Sequence, residues 1–252
     1  MNSPTQIVRK QRLDHVLVSR GLADSREQAH RYILAGLVRV EGILIDKRAK
    51  LVDETVEIAL DLPSTTYVSR AGDKLVAAIH AFGVQCSDVV AMDVGSSTGG
   101  FTDCLLQHGA KRVYAVDVGY GQLDWKLRND PRVVLHERCN IRYLPVEKIP
   151  DRIELAVIDV SFISLRIVLP SVVKFLDKAA SVVMLLKPQF EVGKGQVDRG
   201  GIVRDEKKRL MVRDELLIFS KSLGFSEIGS MDSPVLGRKG NREILVALKA
   251  TT

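Results

Sequence analysis

The sequence is poor in cysteine and in long apolar runs. It has three cysteines in 252 residues, Cys86, Cys104 and Cys139, an odd number without the spacing of metal ligands. This pattern argues against a disulfide framework and a metal site, and it favours a reducing, cytoplasmic location. The apolar runs are only as long as strands, and no signal-peptide core follows the N-terminus. We therefore expect neither export nor a membrane span.

What the sequence does have is length, apolar content and positive charge. The length suits one large domain and one small domain, and an apolar content of 46% supports a sizeable core. The net charge is +6, and residues 1–50 carry most of it, with ten Lys and Arg against five Asp and Glu. This concentration predicts a polyanionic partner for the N-terminal part.

An apolar run that ends at Asp93 leads into a glycine-rich turn, and an amphipathic segment follows. This order of strand, turn and helix is how an α/β sheet presents a nucleotide. Gly95, Gly99 and Gly100 do not have the dinucleotide spacing, and an acid at Asp93 suits a zwitterionic or cationic ligand such as S-adenosylmethionine. Asp117 lies 22 residues after Gly95, at the end of the next strand, where an acid accepts hydrogen bonds from ribose hydroxyls. The residues therefore predict an adenosine-type ligand and leave a nicotinamide open.

The chain divides into a small N-terminal α+β domain at 1–60, a linker at 61–68 and a second domain at 69–252. In the first domain we expect helices from Arg12 to Gly21 and over 26–35, then strands at 38–40, 43–45 and 56–58. In the second domain strands and helices alternate, which predicts a mostly parallel, doubly wound sheet with an antiparallel last strand. Its strands are expected near 88–93, 111–117, 132–136, 153–159, 180–187, 225–232 and 242–249. Its helices are expected at 100–108, 121–129, 164–176 and 203–223, and residues 67–75 are expected to enter a further helix that lasts to about Phe82. We expect 191–201 to be a mobile loop.

Four ionisable residues are predicted to converge beside the glycine-rich turn. Asp159 and Lys187 end apolar strands, Glu243 begins the last strand, and Lys74 lies early in the helix before the first strand. The carboxyl ends of parallel strands meet at one edge of the sheet, where ligands bind. A single lysine at a strand end is usually just solvated, so the prediction rests on the set.

The N-terminal pattern R-L-D-x-x-L-V-x-R-G-L-x-x-S-R-x-x-A resembles the RNA-binding domain named after ribosomal protein S-four. The resemblance implies binding of structured RNA through arginines borne on helices. Contacts of this kind, made to phosphates, give affinity and position more than sequence choice. The residues implied are Arg9, Arg12, Arg20, Arg26 and Arg31.

The motifs V-S-R-x-G-x-K-L, D-V-G-S-S-T-G-G-F-T-D, D-V-S-F-I-S-L and L-L-K-P-Q-F-E-V-G resemble the TlyA (hemolysin A) family. The resemblance implies a Rossmann-like class I methyltransferase domain of the FtsJ type that uses S-adenosylmethionine. It also implies 2′-O-methylation of ribosomal RNA at cytidine, with ribosomal subunits as partners. By motif, the family's K-D-K-E tetrad corresponds to Lys74, Asp159, Lys187 and Glu243. The implied cofactor residues are Asp93, Gly95, Ser96, Ser97, Thr98, Gly99, Gly100, Asp117 and, for the adenine, Asn140.

For such a reaction the tetrad has a physical interpretation. The enzyme must align the ribose hydroxyl with the methyl group and assist loss of the hydroxyl proton. Lys187 is expected to be the base or a cation that steers the hydroxyl, with Asp159 and Glu243 holding the lysines. Three other interpretations remain open: a non-catalytic RNA-binding assembly factor, a membrane-active hemolysin and a nicotinamide oxidoreductase. Methyl transfer would argue against the first, and liposome leakage would support the second. The sequence does not fix the oligomeric state.

Overall fold

The structure is a computed structural model that describes residues 10–23, 25–34, 36–47, 50–60, 66–193, 195–198, 200–237 and 240–251. The chain forms two compact units, Met1–Ser64 and Thr65–Thr252. Arg9 and residues 61–65 of the expected linker lie outside the described residues. Within the described ranges, no helix has both the length and the apolar character needed to cross a membrane.

The first unit packs two helices with short antiparallel strands. Leu13, Leu17 and Ile33 are fully buried on the helices and share a core with Val38 and other strand residues. The strands form a two-stranded sheet, β1-β4, and a three-stranded sheet in the order β3-β2-β5. The elements are β1 (Lys10–Arg12), α1 (Leu13–Ser19), α2 (Arg26–Leu34), β2 (Val38–Val40), β3 (Ile43–Leu44), β4 (Leu51–Asp53) and β5 (Ile58–Leu60).

The strand expected at 56–58 is misplaced. Asp53 ends β4 and accepts hydrogen bonds from the backbone N–H and the hydroxyl of Thr55, each 2.9 Å long. These bonds fold residues 53–56 into a turn, which delays the next strand to Ile58. An Asp side chain that binds its own backbone two residues on is typical of turns.

The second unit is one seven-stranded sheet with helices on both faces. The strand order is β11-β12-β10-β9-β6-β7-β8, with β12 antiparallel to both neighbours and the β10-β9-β6-β7-β8 ladder parallel. This confirms the predicted doubly wound sheet with an antiparallel last strand. The helices are α3 (Ala71–Phe82), α4 (Gly100–Gln107), α5 (Trp125–Arg128), α6 (Leu165–Val173), α7 (Pro188–Glu191) and α8 (Glu206–Ser222). The strands are β6 (Val90–Val94), β7 (Arg112–Val116), β8 (Val133–His136), β9 (Ile153–Ile158), β10 (Leu176–Leu186), β11 (Phe225–Asp232) and β12 (Ile244–Ala250).

Each face of this sheet has its own core, because successive side chains on a strand point to opposite faces. Ala91 belongs to the core that includes Leu75 of α3 and Phe101 of α4. Met92, the next residue, belongs to the core that includes Leu169 of α6 and others from α8. Strands covered on both faces read as continuous apolar runs, which is why they were recognisable in the sequence.

The helix expected at 121–129 is only one turn long. Gly119 and Gly121 precede it, and Asp124 caps its start by accepting a 3.0 Å hydrogen bond from the N–H of Lys126. Segment 117–124 is therefore loop, and its contacts with the glycine-rich turn are described below.

The chain order reverses between β6 and β9. From β6 the chain moves outward to β7 and β8 on one side, and β9 and β10 then lie on the other side. Ligands of doubly wound proteins bind outside the carboxyl ends of the strands at such a switch point. The switch point is where Asp93, Gly95 and Asp159 lie.

Candidate active site

Strand ends bring the predicted catalytic residues to one edge of the sheet. Leu186 of β10 pairs with Ile244 of β12, so Lys187 and Glu243 occupy adjacent strand ends. Val94 of β6 pairs with Ile158 of β9, which places Asp159 beside the start of the glycine-rich turn. Neighbouring strands lie roughly 4.8 Å apart. The four consecutive strands therefore present their ends within roughly 15 Å of one another.

Lys187 is held by an acid and a hydroxyl. Its Nζ lies 2.6 Å from Oδ1 of Asp159 and donates a 2.9 Å hydrogen bond to Oγ of Ser161. The two charged side chains are only 12% and 17% exposed. The ion pair is close, but Oδ1 of Asp159 accepts no hydrogen bond of normal angle among the described residues. This oxygen is therefore held near a cation and is still able to accept a hydrogen bond.

Lys74 and Glu243 form the second pair. Nζ of Lys74, on α3, donates a 2.6 Å hydrogen bond to Oε2 of Glu243, and the side chains are 11% and 3% exposed. Gly237 packs closely on this acid, since a Cβ at that position would lie 2.3 Å from Oε1. The predicted tetrad thus assembles as two ion pairs, with each acid holding one lysine.

Asp93 is fully buried beneath the glycine-rich turn. Its Oδ2 accepts a 2.7 Å hydrogen bond from Oγ1 of Thr102, whereas its Oδ1 has no partner among the described residues. Burial raises the pKa of Asp93 to about 7; the Thr102 hydrogen bond opposes the rise and the nearby Asp159 carboxylate adds to it. A buried carboxylate with an unused oxygen is suited to a cationic ligand.

The turn itself is shaped by positive φ angles and by Asp117. Ser97 has φ +48°, and its N–H donates a 2.8 Å hydrogen bond to Oδ2 of Asp117. The other oxygen of Asp117 accepts a 2.6 Å hydrogen bond from the N–H of Gly119. Thr98 accepts a 3.1 Å hydrogen bond from the N–H of Asp124 through its carbonyl. Since each carboxylate oxygen has two acceptor sites, Asp117 can still accept from a ribose hydroxyl.

The glycines of the turn are required by contacts within the protein. Gly95 has φ +87°, and a Cβ there would lie 2.4 Å from the carbonyl oxygen of Asp159. A Cβ on Gly99 would lie 2.3 Å from Leu127, and one on Gly100 would lie 2.2 Å from Oγ of Ser69. The glycines are therefore required by positive φ at Gly95 and Gly99 and by close packing of strand, loop and helix.

Asn140 has a local role. Its Oδ1 accepts hydrogen bonds from the backbone N–H and Nε of Arg142, 3.1 Å and 3.3 Å long, and so caps the 3₁₀ turn Ile141–Tyr143. The backbone of Cys139 beside it is bonded to the carbonyl of Asp117. The segment that carries Asn140 is thus bonded to Asp117, and contact of Asn140 with an adenine stays a prediction.

Buried polar atoms that accept or donate no hydrogen bond of normal geometry cluster at this edge, although Oδ1 of Asp159 is ion-paired with Lys187. Among the described residues there are five such side-chain atoms, and all lie at or just after the carboxyl end of a parallel strand. They are Asp93 Oδ1, Ser96 Oγ, His136 Nε2, Asp159 Oδ1 and Gln189 Oε1. Buried polar groups normally have partners, so this set fits a polar ligand with both donors and acceptors. No three His, Cys, Asp or Glu side chains gather as a metal site requires, within the part of the chain that the structure describes.

Three residues of the site were not identified from the sequence. Ser161 binds Lys187. Asn241 is 2% exposed and joins two loops, since its Oδ1 accepts from the N–H of Val203 and its Nδ2 donates to the carbonyl of Gly201. Phe162 is 90% exposed, has φ +65° and lies against Phe190 with ring centroids 5.1 Å apart. A phenylalanine three residues after a strand-end acid was the available signal for the last of these.

The arginines of the first unit take different positions. Arg12 and Arg26 both bind the carboxylate of Asp14. Arg20 donates hydrogen bonds to the backbone carbonyls of Val56 and Glu54. These bonds tie the end of α1 to the turn before β5. Arg31 is exposed on α2. Arg9 lies outside the described residues, and RNA contact by any of the five stays a prediction.

Comparison with known proteins assigns both units. The sequence profile of the FtsJ-like methyltransferase family matches residues 67–250, and that of the S4 domain matches residues 11–58. The chain belongs to the FtsJ-like methyltransferase family. The family predicted from the sequence motifs, and the S-four-like domain, are confirmed.

Relatives of this FtsJ-like methyltransferase match over nearly its whole length. It is 46% identical over 249 residues to the 16S/23S rRNA (cytidine-2′-O)-methyltransferase TlyA of Mycobacterium tuberculosis, covering 98% of this chain and 92% of the relative. It is 43% identical over 235 residues to Hemolysin A of Brachyspira hyodysenteriae, covering 93% and 98%. A solved structure from Streptococcus thermophilus, a candidate hemolysin, superposes with a TM-score of 0.75 at 44% identity and covers 96% of this chain and 89% of that one.

Proposed function

We propose that this protein transfers the methyl group of S-adenosylmethionine to the 2′-oxygen of a cytidine in ribosomal RNA. The family match and the relative named for this reaction support the proposal. The observation that carries it is the pair of ion pairs at the ends of adjacent strands, Lys187 with Asp159 and Lys74 with Glu243. Beside them lies the buried Asp93 with its unused oxygen.

The cofactor residues fit a sulfonium donor. S-adenosylmethionine supplies an electrophilic methyl group on a positively charged sulfur. Asp93 would provide negative charge beneath the turn, Asp117 would accept hydrogen bonds from the ribose, and Asn140 would contact the adenine. The backbone and side chains of 95–100 would hold the rest of the ligand. Each of these assignments rests on position at the sheet edge and on the unpartnered atoms there.

Lys187 is the residue that acts on the ribose hydroxyl. Methylation of the 2′-oxygen would require the hydroxyl to lose its proton. Asp159 and Ser161 fix Nζ of Lys187 in one place, so that the group meets the hydroxyl with little loss of orientation. Lys187 serves as an amine that accepts the proton or as an ammonium that holds the oxygen. Glu243 and Lys74 are more deeply buried and position the second side of the site.

The RNA is bound by both units. We assign residues 1–60 to an RNA-binding domain, 61–68 to a linker and 69–252 to the catalytic domain. Arg12, Arg26 and Arg31 would contact phosphates of a ribosomal subunit. Phe162 is 90% exposed and lies three residues after Asp159, and a base lifted out of its stack would lie on its ring. Such a substrate implies a cytoplasmic location.

The proposal is tested by methyl transfer from labelled S-adenosylmethionine to ribosomal subunits that lack this modification. Lys187→Ala should abolish transfer but retain cofactor binding, because Lys187 acts on the hydroxyl. Cofactor binding can be followed by fluorescence, since the one tryptophan, Trp125, directly follows Asp124, which is bonded to the turn. Lys178→Ala is the matched control, because Lys178 is exposed near the opposite end of the same strand. Full activity of Lys187→Ala would overturn the proposed role.

A second substitution separates the two roles of Lys187. Arginine stays protonated in proteins, so it can hold an oxygen but cannot accept a proton. If Lys187→Arg retains measurable transfer, Lys187 acts as a cation that steers the hydroxyl. If Lys187→Arg is as inactive as Lys187→Ala, while cofactor binding and the thermal midpoint are unchanged, Lys187 acts as a base.

A further inference from the structure

Asp14 is a buried carboxylate in the first unit that binds three basic side chains. It is fully buried at the start of α1, one of the few buried acids in the described part of the chain. Arg12 donates a 3.0 Å hydrogen bond from Nε to Oδ1 and another from Nη2 to Oδ2. Nη2 of Arg26 lies 3.4 Å from Oδ2, and Nε2 of His30 lies 2.7 Å from the same oxygen. One acid therefore fixes cations from the start of α1 and from α2.

The three basic side chains keep an outer surface. Their exposed fractions are 42% for Arg12, 57% for Arg26 and 27% for His30. A guanidinium has five N–H donors. Asp14 takes two from Arg12 and one from Arg26. The cluster is thus a buried carboxylate covered by basic side chains. Most of the N–H donors of the two guanidiniums are not used by Asp14.

Electrostatics keeps this arrangement charged. Burial alone would raise the pKa of Asp14, but the hydrogen bonds from Arg12, His30 and Arg26 outweigh it and hold that pKa well below its ordinary value. The carboxylate is therefore ionised around neutral pH. Arg12 and Arg26 are held in one geometry at a small net positive charge.

We infer that Asp14 is the positioning residue of a phosphate clamp, in which it orients Arg12 and Arg26 so that their outer donors meet the RNA backbone. The inference rests on the proposed RNA-binding function. Arginines bind phosphate through two parallel N–H bonds, which requires the fork to be held in place. A free arginine loses rotamer freedom when it binds, whereas one already fixed by Asp14 loses little.

A positioning role for Asp14 predicts an effect opposite in sign to simple electrostatics. Removing a negative charge from a basic surface should strengthen RNA binding by long-range attraction. If Asp14 positions the clamp, Asp14→Asn should instead weaken binding by roughly tenfold, because two long side chains become free. The slope of log K against log salt should also become shallower, by about 0.9 for each phosphate that the clamp no longer neutralises.

The experiment measures binding of the full chain to ribosomal RNA over a salt series, with Glu27→Gln as the matched control. Glu27 is an exposed acid on α2 next to Arg26, so its removal changes the charge equally without touching Asp14. We expect Asp14→Asn to weaken binding and raise KM for RNA at unchanged kcat, and Glu27→Gln to leave binding equal or tighter. Equal or tighter binding by Asp14→Asn would overturn the inference.

The experiment also distinguishes failure of RNA binding as such from loss of stability in the variant. If the wild-type chain fails to bind the RNA, the proposed function itself fails. If Asp14→Asn lowers the thermal midpoint of the first unit, Arg26→Lys decides, because it keeps the charge on an exposed side chain and loses the fork. Weaker binding by Arg26→Lys with the fold intact supports the clamp, and binding equal to wild type overturns it.

Discussion

The buried acid under the glycine-rich turn makes the free energy of unfolding of the catalytic unit depend on pH. Asp93 has no exposed surface, and its pKa rises from 3.8 to about 7, chiefly through burial. Each tenfold change in proton affinity corresponds to about 1.4 kcal/mol, so the rise corresponds to roughly 4 kcal/mol. Because the folded chain binds this proton more tightly than the unfolded chain, the contribution is fully present below about pH 4 and is lost as the pH rises to about 7.

Asp93→Asn removes this titration and keeps the size of the side chain and an acceptor for Thr102. The free energy of unfolding of the variant should therefore increase relative to that of the wild type as the pH rises. We expect a gain of about 1.4 kcal/mol per pH unit from about pH 4, up to roughly 4 kcal/mol near pH 7, and no change above it. At low pH, where both side chains are neutral, the two proteins should differ little.

The assay is urea unfolding followed by tryptophan fluorescence over a pH series. Trp125, the one tryptophan, lies in the catalytic unit and reports its unfolding without signal from the first unit. Asp177→Asn is the matched control, since Asp177 is exposed on β10 and its removal should leave the difference from wild type flat. A gap between Asp93→Asn and wild type that does not change with pH would refute the reasoning.

The remaining predictions concern Gly95 in the glycine-rich turn, the exposed ring of Phe162 and the buried Asn241. Gly95→Ala should lower the free energy of unfolding by roughly 1–3 kcal/mol, because it strains a φ of +87° and meets the carbonyl of Asp159; unchanged urea unfolding would contradict this. Phe162→Ala should weaken RNA binding by roughly 1–3 kcal/mol at unchanged stability, and equal RNA affinity would contradict a stacking role. Asn241→Ala should cost roughly 1–3 kcal/mol of stability by leaving the buried N–H of Val203 and the part-buried carbonyl of Gly201 unpaired, which thermal unfolding checks, and an unchanged midpoint would count against it.

The positions at strand ends could be predicted because both faces of the sheet are covered. Apolar runs that stop at Asp93, Asp159 and Lys187 mark strands, and the rule that ligands bind at their carboxyl ends places these residues at one edge. The glycine-rich turn was equally readable, since its strand and helix flank it directly.

The partners within the site could not be predicted in the same way. Lys74 and Glu243 are 169 residues apart, and no local pattern says which lysine pairs with which acid. Asn241 looks like an ordinary loop residue in sequence, yet the fold buries it between two loops. The helix expected at 121–129 was wrong because Asp124 acts as a cap rather than as an interior residue.

The central claim is the nature of the methylated atom, and nucleoside analysis of the RNA product tests it most directly. Ribosomal RNA methylated by the wild-type protein should be hydrolysed to nucleosides and, separately, treated with alkali. We expect 2′-O-methylcytidine at a position that resists alkaline cleavage, because a blocked 2′-oxygen cannot attack its phosphate. A methyl group found on a base, at a position that alkali still cleaves, would contradict the claim.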